Sequence, residues 1–190
     1  MYITKDMYIN EININKSRFI GIITKIYSQD EFDDIMNNVK ELYPKATHYT
    51  YAYRLIDYYK VSDDGEPSST AGLPILNIIE SEDLYNTIII VVRYFGGIKL
   101  GVGGLIRAYS TTAKECVKEK DKLINSSIIT INIDYTNIKE LDNILNKVNC
   151  KILNKSFDKD ITYIINIDNN QLDLVNKFNY IKEKDTYLEL

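Results

Sequence analysis

From Ile88 to Val92 the chain reads Ile-Ile-Ile-Val-Val with no polar interruption, and no other stretch restricts its fold as strongly. β-Branched residues at every position, rather than every second one, specify a strand covered on both faces. Arg93, Tyr94 and Phe95 follow, then Gly96 and Gly97, then Gly101, Gly103 and Gly104. Leu105, Ile106, Tyr109, Thr112, Ala113, Cys116 and Val117 next recur at helical spacing. A buried strand therefore runs into a glycine-rich turn and out into an amphipathic helix. Glycines in such a turn serve close packing of the helix on the sheet, or the approach of an anion to the helix N-terminus. Arg93, Lys99 and Arg107 surround the turn and keep the anion reading open. No nucleotide fingerprint is present: Ile106 interrupts Gly-x-Gly-x-x-Gly, and no Gly-Lys-Ser/Thr ending occurs.

All eight glycines and all three prolines lie before residue 110, as do Arg18, Arg54, Arg93 and Arg107. The remainder is rich in Asn, Lys, Ile and Asp. That shift predicts two domains, 1–122 and 127–190, with the boundary in the polar segment Lys120 to Ser127. A formal net charge of −4 argues against bulk attraction to nucleic acid, leaving a local basic patch as the only electrostatic route. No apolar run reaches the ~18–20 residues of a membrane span, and the N-terminus lacks the pattern of a secretory signal. A cytoplasmic protein with no membrane partner is expected. Cys116 and Cys150 lack metal-ligand spacing and the chain has one histidine, so a structural zinc is not expected.

Alternation near Ile9, Ile12 and Ile14 and from Phe19 to Ile26 predicts two opening strands with a turn at Lys16-Ser17. Ser28 and Glu31 form a capping-box pattern ahead of a helix through Phe32, Ile35, Met36, Val39 and Leu42, ending at Pro44. His48 to Leu55 reads as a strand with Tyr49, Tyr51, Tyr53 and Leu55 on one face and His48, Thr50, Ala52 and Arg54 on the other. The tyrosines suit base stacking, but packing beneath a helix accounts for them better. Residues 57 to 72 read as a polar loop, after which Thr70 is placed to cap a short helix through Leu73, Leu76 and Ile79. Beyond residue 127 the order is strand, helix, two strands, helix, strand, with Asn137 and Asp168 as the helix caps.

The loop Ser62 to Gly72, SDDGEPSSTAG, gathers more polar chemistry than a turn requires. Asp63, Asp64 and Glu66 suit a hard cation, although a solvated acidic turn capping a helix is the favoured reading. Ser68, Ser69 and Thr70 suit contact with a polar ligand. His48 is the sole side chain whose ordinary titration lies near neutrality; a structural, hydrogen-bonded role is favoured over catalysis.

Taken together, SRFIG at Ser17 to Gly21, HYTYAYRL, SDDGEPSSTAGLPIL and VVRYFGGIKLGVGGLIRAYS resemble the successive blocks of the bacterial YigZ and eukaryotic IMPACT family. The resemblance implies an α+β chain whose first domain is like the second domain of ribosomal protein S-five. Its second domain would be ferredoxin-like, similar to the last domain of elongation factor G. It implies no enzymatic activity and no cofactor. Eukaryotic relatives regulate translation with an extra N-terminal domain, so their particular mechanism is not expected here. The expected function is non-enzymatic: binding RNA, ribosomal or translation-factor partners, without DNA specificity, through a glycine-lined, arginine-flanked surface. The alternative is an enzyme acting on a phosphorylated or nucleotide substrate at the same surface. The candidate binding residues are Arg18, His48, Arg54, Asp63, Asp64, Glu66, Ser68, Ser69, Thr70, Arg93, Gly96, Gly97, Lys99, Gly103, Gly104 and Arg107, with Arg54, Arg93 and Arg107 expected to contact phosphates.

Overall fold

A computed structural model describes residues 1–190, which form two compact units, Met1–Asp121 and Lys122–Leu190. The chain is mixed α and β, with two sheets.

In the first unit, β1 (Tyr2–Thr4) precedes a hairpin of β2 (Tyr8–Ile14) and β3 (Ser17–Lys25). The turn falls at Asn15-Lys16, one residue earlier than the sequence suggests. Both residues have positive φ, 46° and 65°, the geometry of the two-residue turns that match strand twist. Next come α1 (Glu31–Leu42), β4 (His48–Arg54), β5 (Tyr59–Ser62), α2 (Gly72–Ser81), β6 (Thr87–Tyr94) and α3 (Gly101–Cys116). β5 lies within the stretch read as loop; its exposed, polar composition hides a strand that pairs only with β4. The expected capping box on α1 is absent. Glu31 instead accepts from the Tyr27 N–H at 3.0 Å, and Asp30 occupies the cap position.

The antiparallel order β2-β3-β6-β4-β5 puts β6 in the middle. Ile89 and Val91 pack with Phe19, Ile23 and Ala52 against Ile75, Ile79, Leu105 and Tyr109 of α2 and α3. Ile88, Ile90 and Val92 pack with Ile20, Ile22 and Tyr53 against Met36 and Val39 of α1. One uninterrupted apolar run therefore feeds two cores, each such side chain contributing about 1.5–3 kcal/mol by leaving water. The tyrosine face of β4 lies under α1, with Phe32 4.6 Å from Tyr51 and 5.7 Å from Tyr53 between ring centroids. These rings are occupied by packing. Cys116 is buried in the α3 core, and burial pushes its thiol up to about 12.

β7 (Lys120–Ile133) begins at the end of the first unit, runs into the second, and includes the polar segment that the composition marks as a boundary. A short 3-10 turn, Tyr135–Asn137, leads into α4 (Ile138–Leu145), then β8 (Cys150–Phe157) and β9 (Ile161–Asp168). Asn137 does not cap α4 through its side chain; Asp134 accepts from the Thr136 N–H instead. Asp168 does accept from the Asn170 N–H at 2.9 Å, but the segment it opens, Asn169–Phe178, is 3-10 rather than α. β10 (Tyr180–Glu189) closes the unit. Its strands pair antiparallel in the order β10-β7-β9-β8, over a core that includes Ile129, Ile131, Leu141, Tyr163, Ile165 and Val175.

Candidate functional site

The pairing of β3, β6 and β4 sets Phe19, Arg93 and His48 side by side on the face that α2 and α3 cover. Arg93 is the residue at which the apolar run of β6 ends, and it is 4% exposed. A guanidinium cannot shed its charge, so burial demands a counter-ion. Glu66, 8% exposed, supplies it: Arg93 Nη1 donates to Glu66 Oε1. The Tyr109 hydroxyl of α3 donates to the same oxygen at 2.7 Å. Burial and this carboxylate hold the Tyr109 phenol far above its usual range, so it is a fixed proton donor at neutral pH. Arg93 Nη2 donates to Ser17 Oγ at 3.3 Å, which also accepts the Gly96 N–H at 3.1 Å. Phe19 and Phe95 lie 5.1 and 5.4 Å from the guanidinium. Its Nε is buried without a partner. His48 completes the group, with Nε2 3.7 Å from Glu66 Oε1 and Nδ1 2.7 Å from the Asp64 carbonyl oxygen.

The loop that delivers Glu66 is held by its own carboxylates. Asp63 Oδ2 accepts from the Ser69 N–H at 2.7 Å, and Oδ1 accepts from Ala71 and Gly72 at 2.9 Å each. Asp63 is thus the cap of α2, a role the sequence assigned to Thr70, whose hydroxyl instead donates to the Pro67 carbonyl at 2.6 Å. Asp64 accepts from the Tyr49 N–H at 2.6 Å and ties the loop to β4. Both Asp63 oxygens and Asp64 Oδ2 serve backbone donors, and Glu66 Oε1 serves Arg93 and Tyr109, so the carboxylates are engaged in holding the loop rather than gathered for a cation. Asp63→Ala should cost about 2 kcal/mol by stripping three N–H groups of their acceptor. Urea unfolding measures it, and a loss below about 0.5 kcal/mol would show that water replaces the cap freely.

Glu66 and Arg93 line a cleft of about 410 Å³ whose other lining residues include the apolar Pro67, Phe95, Val102 and Leu105 and the polar His48 and Lys99. α3 starts at this cleft with no side-chain cap and no acidic residue in its first turn.

Four of the candidate residues, His48, Glu66, Arg93 and Lys99, line this cleft. The others do not converge on it. Arg54 shares the face of His48 but lies opposite Thr87 at the far end of β4, about 20 Å along the strand. It donates to the Tyr85 hydroxyl at 2.7 Å and stacks on that ring. Arg18 is on the other face of the sheet, paired with Glu11 at 2.7 Å and over the Tyr94 ring. Arg107 lines a separate hollow of about 210 Å³ with Asn15 and Gly104. Asp63 and Asp64 are structural, Ser68 and Ser69 are exposed on the loop, and Thr70 is buried. Gly96 is pressed against Lys16 and Ser17, whereas a Cβ at Gly97 would meet nothing within 4 Å and one at Gly103 only the end of the Arg107 side chain at 3.5 Å. A shared arginine surface is therefore ruled out: Arg93 is neutralised inside the protein, and the other three arginines are dispersed. Sequence reading missed Ser17, Tyr109, Phe95 and Val102. The first two carried a readable signal, being polar groups within apolar-patterned elements.

The family model for the Impact N-terminal domain matches residues 15–117. IMPACT family member YvyE of Bacillus subtilis is 34% identical over 196 residues, covering 95% of this chain and 89% of YvyE. An IMPACT family member of Thermus thermophilus is 44% identical over 109 residues, covering 57% of this chain and 59% of that protein. A crystal structure of a hypothetical protein overlays with a TM-score of 0.66 at 22% identity, covering 100% of this chain and 96% of that one, which establishes a shared fold. With the family model spanning more than half of its length and YvyE matching nearly all of it, the chain belongs to the IMPACT family.

Proposed function

We propose that the protein is a non-enzymatic, cytoplasmic, translation-associated regulator that grips an RNA-containing partner of the translation machinery at the Glu66–Arg93 cleft. Family membership supplies the translation context. The observation that carries the reading is the cleft itself: apolar walls around a buried, hydrogen-bonded ion pair suit one inserted group of a partner. At fold level the same reading takes the first unit as like the second domain of ribosomal protein S-five. It takes the second as ferredoxin-like, which the antiparallel order β10-β7-β9-β8 supports.

Because Lys99 is the one exposed cation among the cleft residues, binding should respond only shallowly to salt. Co-sedimentation with ribosomal fractions across a salt series should give a slope of log affinity against log salt of about −1 to −2. Val102→Glu should abolish it, since Val102 is 59% exposed and carries no core packing. A chain that stays in the supernatant at every salt concentration overturns the proposal. The enzyme alternative draws on one observation, the approach of His48 to Glu66 beside an open cleft. Turnover of a phosphorylated or nucleotide substrate that disappears in His48→Ala would replace the binding reading.

A further inference from the structure

The imidazole of His48 decides what the cleft asks of its occupant. Its Nδ1 faces the Asp64 carbonyl oxygen at 2.7 Å, an atom that only accepts, so Nδ1 carries the proton. In the neutral ring Nε2 is then a bare lone pair, 3.7 Å from the Glu66 carboxylate. Arg93 and Tyr109 both donate to Oε1, which leaves Oε2 as the second acceptor at the base of the cleft. With the ring uncharged, Nε2 and Oε2 are two acceptors that a group carrying two adjacent donors would satisfy.

Other residues of the lining have the reverse polarity. Lys99 and the uncapped start of α3 at Leu100 and Gly101 present a charge and free backbone N–H groups. Arg93, whose Nη1 is bonded to Glu66, keeps a buried, unpartnered Nε–H on the Glu66 side of the cleft. The rest of the lining is largely apolar, with Phe95 46% exposed. The occupant this lining selects combines paired donors, a flat apolar body and an anion.

We propose that the cleft is a guanine-nucleotide site. It would hold guanine with N1–H and the exocyclic amino group on Glu66 and His48, the ring against Phe95, and the phosphate at Lys99 and the start of α3. Guanine is the base whose pairing edge offers two adjacent donors. Adenine and cytosine would set a ring-nitrogen acceptor against the carboxylate, and uracil flanks its single donor with carbonyls. The nucleotide comes either free or as an unpaired residue of RNA. The second source rests on the function proposed above; the site chemistry does not.

Calorimetric titration of the full chain with GMP, guanosine, AMP, UUGUU and UUAUU tests this. GMP should bind at least about tenfold more tightly than AMP, the usual worth of one bidentate base contact. Phe95→Ala should weaken GMP about tenfold through lost stacking. Lys99→Ala should weaken GMP about fivefold and leave guanosine unchanged. Both positions are exposed, so the variants fold. Equal binding of GMP and AMP, or binding of none of the five, overturns the site even if the protein still sediments with ribosomes. GMP binding without UUGUU binding assigns the free nucleotide as ligand and upholds the site while leaving the RNA reading without support.

Discussion

Replacing Glu66 with alanine should lower the stability of the first unit by about 3–5 kcal/mol, the usual cost of leaving one buried charge unpaired. The substitution strands Arg93, which is 4% exposed and cannot deprotonate, and it removes the acceptor of the buried Tyr109 hydroxyl. A domain holds only about 5–15 kcal/mol in all, so the variant should unfold roughly 10–20 °C below the parent. Two further variants separate charge from shape. Glu66→Gln keeps the volume and can still accept from Tyr109, yet it removes the counter-charge, so it should lose most of what alanine loses. Glu66→Leu combined with Arg93→Met removes both charges and should recover most of the loss, because replacing a buried pair by apolar groups is often neutral or better. Thermal and urea unfolding followed by circular dichroism gives all three values. If Glu66→Ala costs under about 1 kcal/mol, or the double substitution is no better than the single one, the pair is not what holds the cleft floor.

How far this site was readable from sequence depends on whether the signal for each residue was local. The run Ile88–Val92 announced a strand with a core on each side, because composition alone reports two-sided burial. Alternation in β4 correctly separated the tyrosine face from the His48 face. Sharing that face does not bring Arg54 to His48, because six residues of strand hold the two about 20 Å apart. Arg18 was misplaced for a different reason: only the register of β3 on β6 puts it opposite Tyr94 rather than beside Arg93. Asp63 caps a helix eight and nine residues away, a bond that exists only once β5 turns the loop back. Nor does any local pattern reveal that Glu66 becomes the counter-ion of Arg93, a contact across 27 residues. What remained legible of the site was its chemistry, a carboxylate, a histidine, an arginine and a lysine. Their partners were not.

The glycine turn, open from sequence to packing or to ligand approach, yields the second large effect. Gly96→Ala should destabilise the first unit by about 3 kcal/mol, at the upper end for an overpacking substitution. An added Cβ would fall on the carbonyl group of Lys16 and 2.5 Å from the Ser17 nitrogen, which are backbone atoms that no rotamer change can move aside. Relief requires shifting the Asn15-Lys16 turn, and Ser17 would carry its hydroxyl away from both Arg93 and the Gly96 N–H. The strain thereby reaches the ion pair beneath the cleft. Gly97 is the internal control: a Cβ there meets nothing within 4 Å, and its φ of +84° costs an alanine only about 1 kcal/mol. If both glycines existed to admit a ligand, the two alanine variants would keep their stability and lose binding alike. Packing at Gly96 predicts instead a large fall in unfolding temperature for Gly96→Ala and a small one for Gly97→Ala. Equal unfolding temperatures in the two variants would return the glycine pair to the ligand, and with it the anion reading of the turn.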